Sequence, residues 1–275
     1  MLMKSGRVRR LTSADADEIL RIVDLEGLGA VTLARELAAE DYYFWVGLDT
    51  PTDGLCAVHR SMRWGDYLLL KGVFVDVPAR GSGAALELAF ALRDTARRRG
   101  YAGLVAWVEP HKPEAGLARM LRLQMTGPLV HRFEVPLPDD GPPVAAPSAG
   151  HGTLALDLPD PERSAPLVDD LLSGGSPMVV RWVLDRYRLV LSGFPPRSVA
   201  DLHIVTSAAG PLAKAKGARF LELPLPAADI PAALSLAKVK ARRLSRTPVR
   251  LGRLDFGTGR VGTIRDGRQN ANDAA

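Results

Sequence analysis

The sequence predicts an α/β (α+β) protein: a mixed, mostly antiparallel sheet flanked by helices, in two similar tandem domains. Three observations carry this. Apolar runs of strand length alternate with runs of helical period through the first half of the chain. A Pro-, Ala- and Gly-rich stretch without periodicity, residues 139–152, separates the halves. Beyond it the same order of runs returns in weaker form. A chain of 275 residues has room for one large or two ordinary domains. The expected division is 1–138, a linker at 139–152, 153–258, and a mobile tail at 259–275.

Each element has its own signal. Val8-Arg9-Arg10-Leu11 reads as a short strand. Thr12 and Asp15 are spaced as a capping box, and Ile19, Ile22 and Val23 follow at helical spacing. A second helix is expected over Leu33 to Ala39. Tyr43 to Leu48 and Leu55 to Trp64 read as paired strands across the turn formers Thr50-Pro51-Thr52-Asp53-Gly54. Tyr67 to Val75 is the next strand. A helix through Leu86, Ala89, Phe90, Leu92 and Ala96 closes at Gly100. Leu104 to Val108 is a short buried strand, Glu114 to Gln124 a helix, and Leu129 to Leu137 a strand. In the second half, Asp185 to Leu191 echoes the strand at Asp66-Tyr67-Leu68. Asp201 to Lys216 with Gly217 echoes the helix closed by Gly100. Phe220-Leu221-Glu222-Leu223, Ile230 to Leu244 and Val249 to Phe256 complete the repeat.

The chemistry sits at Arg80-Gly81-Ser82-Gly83-Ala84-Ala85, between a strand and a helix. The first N–H groups of a helix have no partner within it, and the helix dipole adds positive character there. Gly81 and Gly83 let backbone approach a phosphate, and Arg80 adds a fixed charge. A dinucleotide fingerprint would need glycine where Leu86 stands, and no Lys-Ser or Lys-Thr follows for a P-loop. The hexapeptide after Val73-Phe74-Val75-Asp76 resembles the pyrophosphate loop of the GCN5-related N-acetyltransferases. The element order over residues 7 to 137 and the Phe44-Trp45-Val46-Gly47 hairpin are similar to that family too. The resemblance implies its fold, acetyl-coenzyme A as acyl donor, and cofactor contacts from Val73, Phe74, Val75, Arg80, Gly81, Ser82, Gly83, Ala84 and Ala85. It implies a strand N–H within Val73 to Val75 that polarises the thioester carbonyl. The second copy has Ser192-Gly193-Phe194-Pro195-Pro196-Arg197-Ser198 at the matching place. Its prolines remove backbone donors, so one cofactor site is expected, in the first half.

The departures matter as much. The family often carries Glu on the strand before the loop, where this chain has Leu70-Lys71-Gly72-Val73-Phe74. It often carries Tyr on the later helix, where this chain has Ala118 to Gln124 without one. The candidate replacements are Glu109 and His111, just after the Leu104 to Val108 strand: His111 as base and Glu109 as its orienting group or as base itself. His59 is a weaker candidate. Cys56 reads as a small buried hydrophobe and Asp76 as a turn former.

Composition bounds the rest. Apolar residues make up 47% and charged residues 24%, as in a soluble globular protein. A single cysteine gives no disulfide framework and no zinc pattern, which fits a cytoplasmic protein without a metal. No apolar run approaches the ~18 residues of a membrane span. A net charge of +5 suits a polyanionic cofactor without arguing for nucleic acid. The expected function is acyl transfer from coenzyme A to an amine of a small molecule. The alternatives are a non-catalytic acyl-coenzyme A sensor, or a transferase whose substrate rides on tRNA or a carrier protein. For the last, the basic tract Lys238, Lys240, Arg242, Arg243, Arg246, Arg250, Arg253 would dock the carrier from a helix face. The acceptor and the oligomeric state are not written in the sequence.

Overall fold

The structure, a computed structural model, describes residues 6–25, 27–50, 54–137, 150–157, 172–173, 178–191, 199–228 and 240–257. The first half runs β1 (Arg7–Arg10), α1 (Ala16–Ile22), α2 (Ala30–Ala38), β2 (Tyr43–Thr50), β3 (Gly54–Trp64), β4 (Tyr67–Val75), α3 (Ala84–Arg98), β5 (Gly103–Val108), α4 (Pro113–Met120) and β6 (Gln124–Pro136). The second runs β7 (His151–Leu156), β8 (Leu172–Ser173), β9 (Met178–Asp185), β10 (Arg188–Leu191), α5 (Val199–Ala215), β11 (Phe220–Pro226), β12 (Arg242–Arg243) and β13 (Val249–Asp255). These strands form one mixed sheet in the order β1-β2-β3-β4-β5-β13-β6-β11-β10-β9-β7, with β12 on β6 and β8 on β9.

Local sequence explains the helices that matter. α3 buries Leu88, Ala89, Leu92 and Ala96 at helical spacing against the sheet. It ends where Gly100 takes φ +77°, and the Tyr101 N–H then donates to the Ala96 carbonyl at 3.1 Å. α1 and α2 cover the opposite face over Leu55, Val58, Met62 and Leu69. In the second half α5 covers β9, β10 and β11 through Leu202, Val205, Ala209 and Ala213.

The halves are joined by an exchange that the sequence does not announce. β6 is not the neighbour of β5. That place belongs to β13, which pairs with β5 from Arg250↔Val108 to Asp255↔Gly103. The other edge of β13 pairs with β6, and β6 continues along β11 from Val130↔Pro226 to Pro136↔Phe220. The final strand of each half therefore lies beside the other half's central strand. The parallel pair β4–β5, with crossover α3, is matched by the parallel pair β10–β11, with crossover α5. Val249 and Leu251 on β13 are buried, each worth about 2 kcal/mol of apolar burial.

Four expectations need correction or fall outside the described residues. The helix drawn to Gln124 stops at Met120, because Arg122 takes φ +62° and the Leu123 N–H turns back to the Ala118 carbonyl. The linker drawn to Gly152 loses its last residues to β7, which starts at His151 and pairs with Val183; residues 138–149 lie outside the described residues. Arg242 and Arg243 form a strand on β6 rather than a helix face, since Lys240 breaks any helix with φ +57°; Lys238 lies outside the described residues. The loop 192–198 and the tail from 258 are also outside them.

The β5–β13 junction yields a test. A Cβ on Gly103 would stand 2.0 Å from the Leu254 carbonyl oxygen and 2.8 Å from the Tyr67 ring. Backbone cannot yield there without opening the ladder, so Gly103→Ala is expected to cost about 3 kcal/mol. Gly116, in α4, has no atom within 4 Å of such a Cβ, and Gly116→Ala is expected to gain about 0.5–1 kcal/mol. Urea unfolding midpoints of the two variants check the contrast.

Candidate functional site

β4 and β5 pair only from Tyr67↔Gly103 to Leu70↔Ala106. Beyond this the strands separate. Lys71 to Val75 keep β3 on one edge, through Gly72↔Arg60, Val73↔His59, Phe74↔Val58 and Val75↔Ala57. Trp107 and Val108 follow β13 instead. The register slips between Arg60 and Ser61, which leaves Lys71 as an extra residue on β4 at the point of separation. The edge of β4 that faces β5 thus presents ladder groups without a strand partner, and Val73, Phe74 and Val75 line it half-buried.

At the open end of this cleft the chain turns through the glycine loop. Asp76 caps a single 3₁₀ turn, accepting from the Val77 N–H at 2.9 Å and from the Arg21 guanidinium. Arg21 holds the Asp76 carboxyl below its usual range. Gly81 and Gly83 take φ +81° and +92°, and a Cβ at either would meet no atom within 4 Å. Space beside both is open, so conformation is what demands glycine. The Ser82 hydroxyl donates to the Ala79 carbonyl at 2.6 Å. Among the described residues the N–H groups of Gly81, Gly83 and Ala85 have no acceptor. They sit at the start of α3, whose fifteen residues bring a full dipole to the same point.

At its inner end, the cleft meets buried charge drawn from both halves. The Lys71 Nζ lies 2.7 Å from Asp185 Oδ2, and Arg60 Nη2 lies 2.7 Å from Asp185 Oδ1. Arg60 also grips Glu36 through Nε at 2.8 Å and Nη2 at 2.7 Å, and the Trp45 indole donates to the same carboxylate at 3.0 Å. Burial alone would raise the pKa of Asp185; Lys71, Arg60 and Arg186 hold it well below the carboxylate range instead. Burial lowers the pKa of Lys71, against the pull of Asp185. Tyr42 and Tyr43 both donate to the Leu184 carbonyl, at 3.0 and 3.1 Å, which seats the turn after β9 on the first half.

Comparison with solved structures gives the fold its place. A Pyrococcus horikoshii protein assigned as an acetyltransferase superposes with a TM-score of 0.52 at 13% identity, over 94% of this chain and 92% of its own. The fold is that of the GCN5-related N-acetyltransferases. A GCN5-related N-acetyltransferase from Sphaerobacter thermophilus gives 0.49 at 14% identity, over 93% of this chain and 97% of its own. A phosphinothricin acetyltransferase from Sinorhizobium meliloti, solved with acetyl-coenzyme A, gives 0.41 at 16% identity, over 46% of this chain and 79% of its own. No protein-family model matches the sequence, and no curated protein matches it.

Set on the acetyltransferase fold, the predicted residues separate into two groups. Val73 to Val75 and Arg80 to Ala85 come together, on the cleft edge and at its mouth. Glu109 and His111 follow β5 on the opposite wall, but they are not joined to each other. Glu109 accepts from Thr247 Oγ1 and from Lys112 Nζ at 2.9 Å, which holds its carboxyl below its usual range against partial burial. His111 is exposed. Cys56 is buried and its thiol pKa is raised by that burial. Among the described residues no three metal-ligating side chains cluster, and no helix is long and apolar enough to cross a membrane. Lys71 and Asp185 were the residues that sequence reasoning missed. Lys71 stood in the inspected stretch of β4 but was read only as a missing acid. Asp185 carried no local signal, since its role depends on a partner more than a hundred positions away.

His59 sits inside β3, fully buried, with its Nδ1 unpaired among the described residues. Burial pushes its pKa down to about 3. The unfolded chain takes up this proton below about pH 6.5 while the native state does not. Stability that His59 leaves intact above that pH is therefore lost as pH falls towards 3, by about 1.4 kcal/mol per unit. His59→Leu should flatten the fall of the urea midpoint between pH 7.5 and 5; a slope equal to wild type would mean that other groups carry it.

Proposed function

We propose that the chain is an N-acyltransferase that moves an acetyl or other short acyl group from coenzyme A to the amine of a small molecule. One observation supports this above the rest: a strand cleft that opens directly onto a glycine loop with unpartnered N–H groups at a helix start. In this reading Arg80, Gly81, Ser82, Gly83, Ala84 and Ala85 hold the pyrophosphate. The pantetheine lies along Val73 to Val75, and one N–H of that edge stabilises the oxyanion. The amine nitrogen attacks the thioester carbonyl carbon; the C–N bond forms, the C–S bond breaks, and the sulfur leaves as thiolate. The proton lost by nitrogen goes to His111, with Glu109 as the other acceptor on that wall, and the thiolate regains one from solvent. Lys71, held by Asp185, flanks the acceptor side. The reading treats 1–138 and 153–258 as two copies of one fold, of which only the first binds cofactor, and places the protein in the cytoplasm without a metal.

A second reading, an acyl-coenzyme A sensor without turnover, is favoured by the tethering of Glu109 to Thr247 and Lys112 and by the lack of an acid on β4. Calorimetric titration with acetyl-coenzyme A, followed by thiol release against a panel of amines, separates the two. Binding with release supports the transferase, and binding without release supports the sensor. Gly83→Glu is expected to weaken acetyl-coenzyme A at least tenfold, because it puts a carboxylate at the phosphate; its φ of +92° costs a side chain about 1 kcal/mol, so the melting temperature falls by a few degrees while the protein stays folded. His111→Ala is expected to lower kcat about 100-fold without weakening acetyl-coenzyme A. Should only Lys71→Met do so, the proton is handled on β4 instead.

A further inference from the structure

A second cavity lies away from the glycine loop, where the exchanged strand β6 meets the second half. It measures about 420 Å³, within the range of small-ligand sites. Its floor is aromatic. Tyr187, on the turn between β9 and β10, and Phe220, at the start of β11, stand with ring centroids 5.6 Å apart at 61°. Its wall is cationic: Arg219, Lys240 and Arg242.

The one carboxylate on the wall is already answered. Glu134 is buried, and accepts from Arg188 Nε behind it and from Arg242 Nη2 at 3.2 Å. Arg188 is buried as well, with its guanidinium 4.7 Å over the Tyr187 ring and Nη2 donating to the Tyr187 hydroxyl at 3.2 Å. The aromatic floor is therefore fixed from below by a satisfied ion pair. Glu134 is engaged by Arg188 and Arg242, and Arg219 and Lys240 add two further positive charges to the wall. Among the described residues the side chains of Arg219 and Lys240 have no carboxylate partner. Lys240, on the wall, holds φ +57°, a conformation that non-glycine residues seldom adopt. Lys240 and Arg242 belong to the basic tract that acyl transfer leaves unused.

We propose that this cavity is a binding site for a nucleoside phosphate, distinct from the acyl-donor site. Arginine and lysine supply the phosphate contacts, with the guanidinium geometry suited to two oxygens at once. The Tyr187–Phe220 floor supplies a stacking surface for the base, and stacking on aromatic rings tolerates any base. Coenzyme A itself ends in a nucleoside phosphate, so the test must tell a free nucleotide from the donor's own end.

The experiment is calorimetric titration of the full chain with AMP, with ribose 5-phosphate and with coenzyme A, on wild type and two variants. AMP is expected to bind at one site per chain, at least tenfold tighter than ribose 5-phosphate. The charge reversal Arg219→Glu with Lys240→Glu should weaken AMP at least tenfold and leave coenzyme A unchanged. Gly83→Glu should do the reverse. Tyr187→Leu, which keeps an apolar side chain there, should bring AMP down to the level of ribose 5-phosphate. The proposal is overturned by absence of AMP binding, by equal affinity for the two phosphates, or by AMP binding that Gly83→Glu abolishes. In the last case the nucleotide occupies the donor site. Loss of coenzyme A binding in wild type, with AMP retained, would sink the acyltransferase reading and leave this site standing.

Discussion

A strand in the middle of a sheet must satisfy hydrogen-bonding groups along both edges, and β13 is where this constraint decides the molecule. It comes from the end of the described chain, yet it fills the gap between β5 and β6. Without it β5 would have only four paired positions, shared with β4, before the two strands part. The cleft exists because β5 can leave β4, and β5 can leave β4 because β13 supports it along its whole length. The cleft in the first half is thus held open by residues of the second.

The same reciprocity governs the buried charges. Asp185 would be costly alone in the interior, and so would Arg60. Asp185 is tolerated because the first half supplies Lys71 and Arg60, and Arg60 because Glu36 and Asp185 share its guanidinium. Such a cluster is a poor source of net stability compared with apolar packing, but it fixes register: the turn at 184–186 fits only where Lys71, Arg60 and the two tyrosine hydroxyls can be satisfied together. β4 carries no acid before Asp76; at the point where it leaves β5 it has Lys71, clamped by the carboxylate of Asp185 from the other half. Local sequence on β4 therefore understates the charge at the inner end of the cleft.

The two halves differ at the ends of their strands. In the first, glycines with positive φ leave N–H groups open at the start of a long helix. In the second, charge gathers around Tyr187 and Phe220, where β6 and β12 supply Glu134 and Arg242. Loops and strand ends are free of the packing that fixes the core, so the two halves differ most there.

The sequence by itself determined what is local. The strand-to-helix turn at Gly81 and Gly83, the amphipathic α3 closed by Gly100, and the paired runs of β2, β3 and β4 follow from conformational preference and apolar period over a few residues. The cleft edge Val73 to Val75 and the loop Arg80 to Ala85 were legible for that reason: one short segment carries them all. Tertiary structure alone decided the exchange of β6 and β13, because strand pairing leaves no mark on periodicity that says which strand is the partner. It also decided that Glu109 is held by Thr247, that Arg242 lies on a strand, and that Lys71 meets Asp185. Each of these is an encounter between side chains more than a hundred residues apart, and only the closing of the sheet brings them within reach.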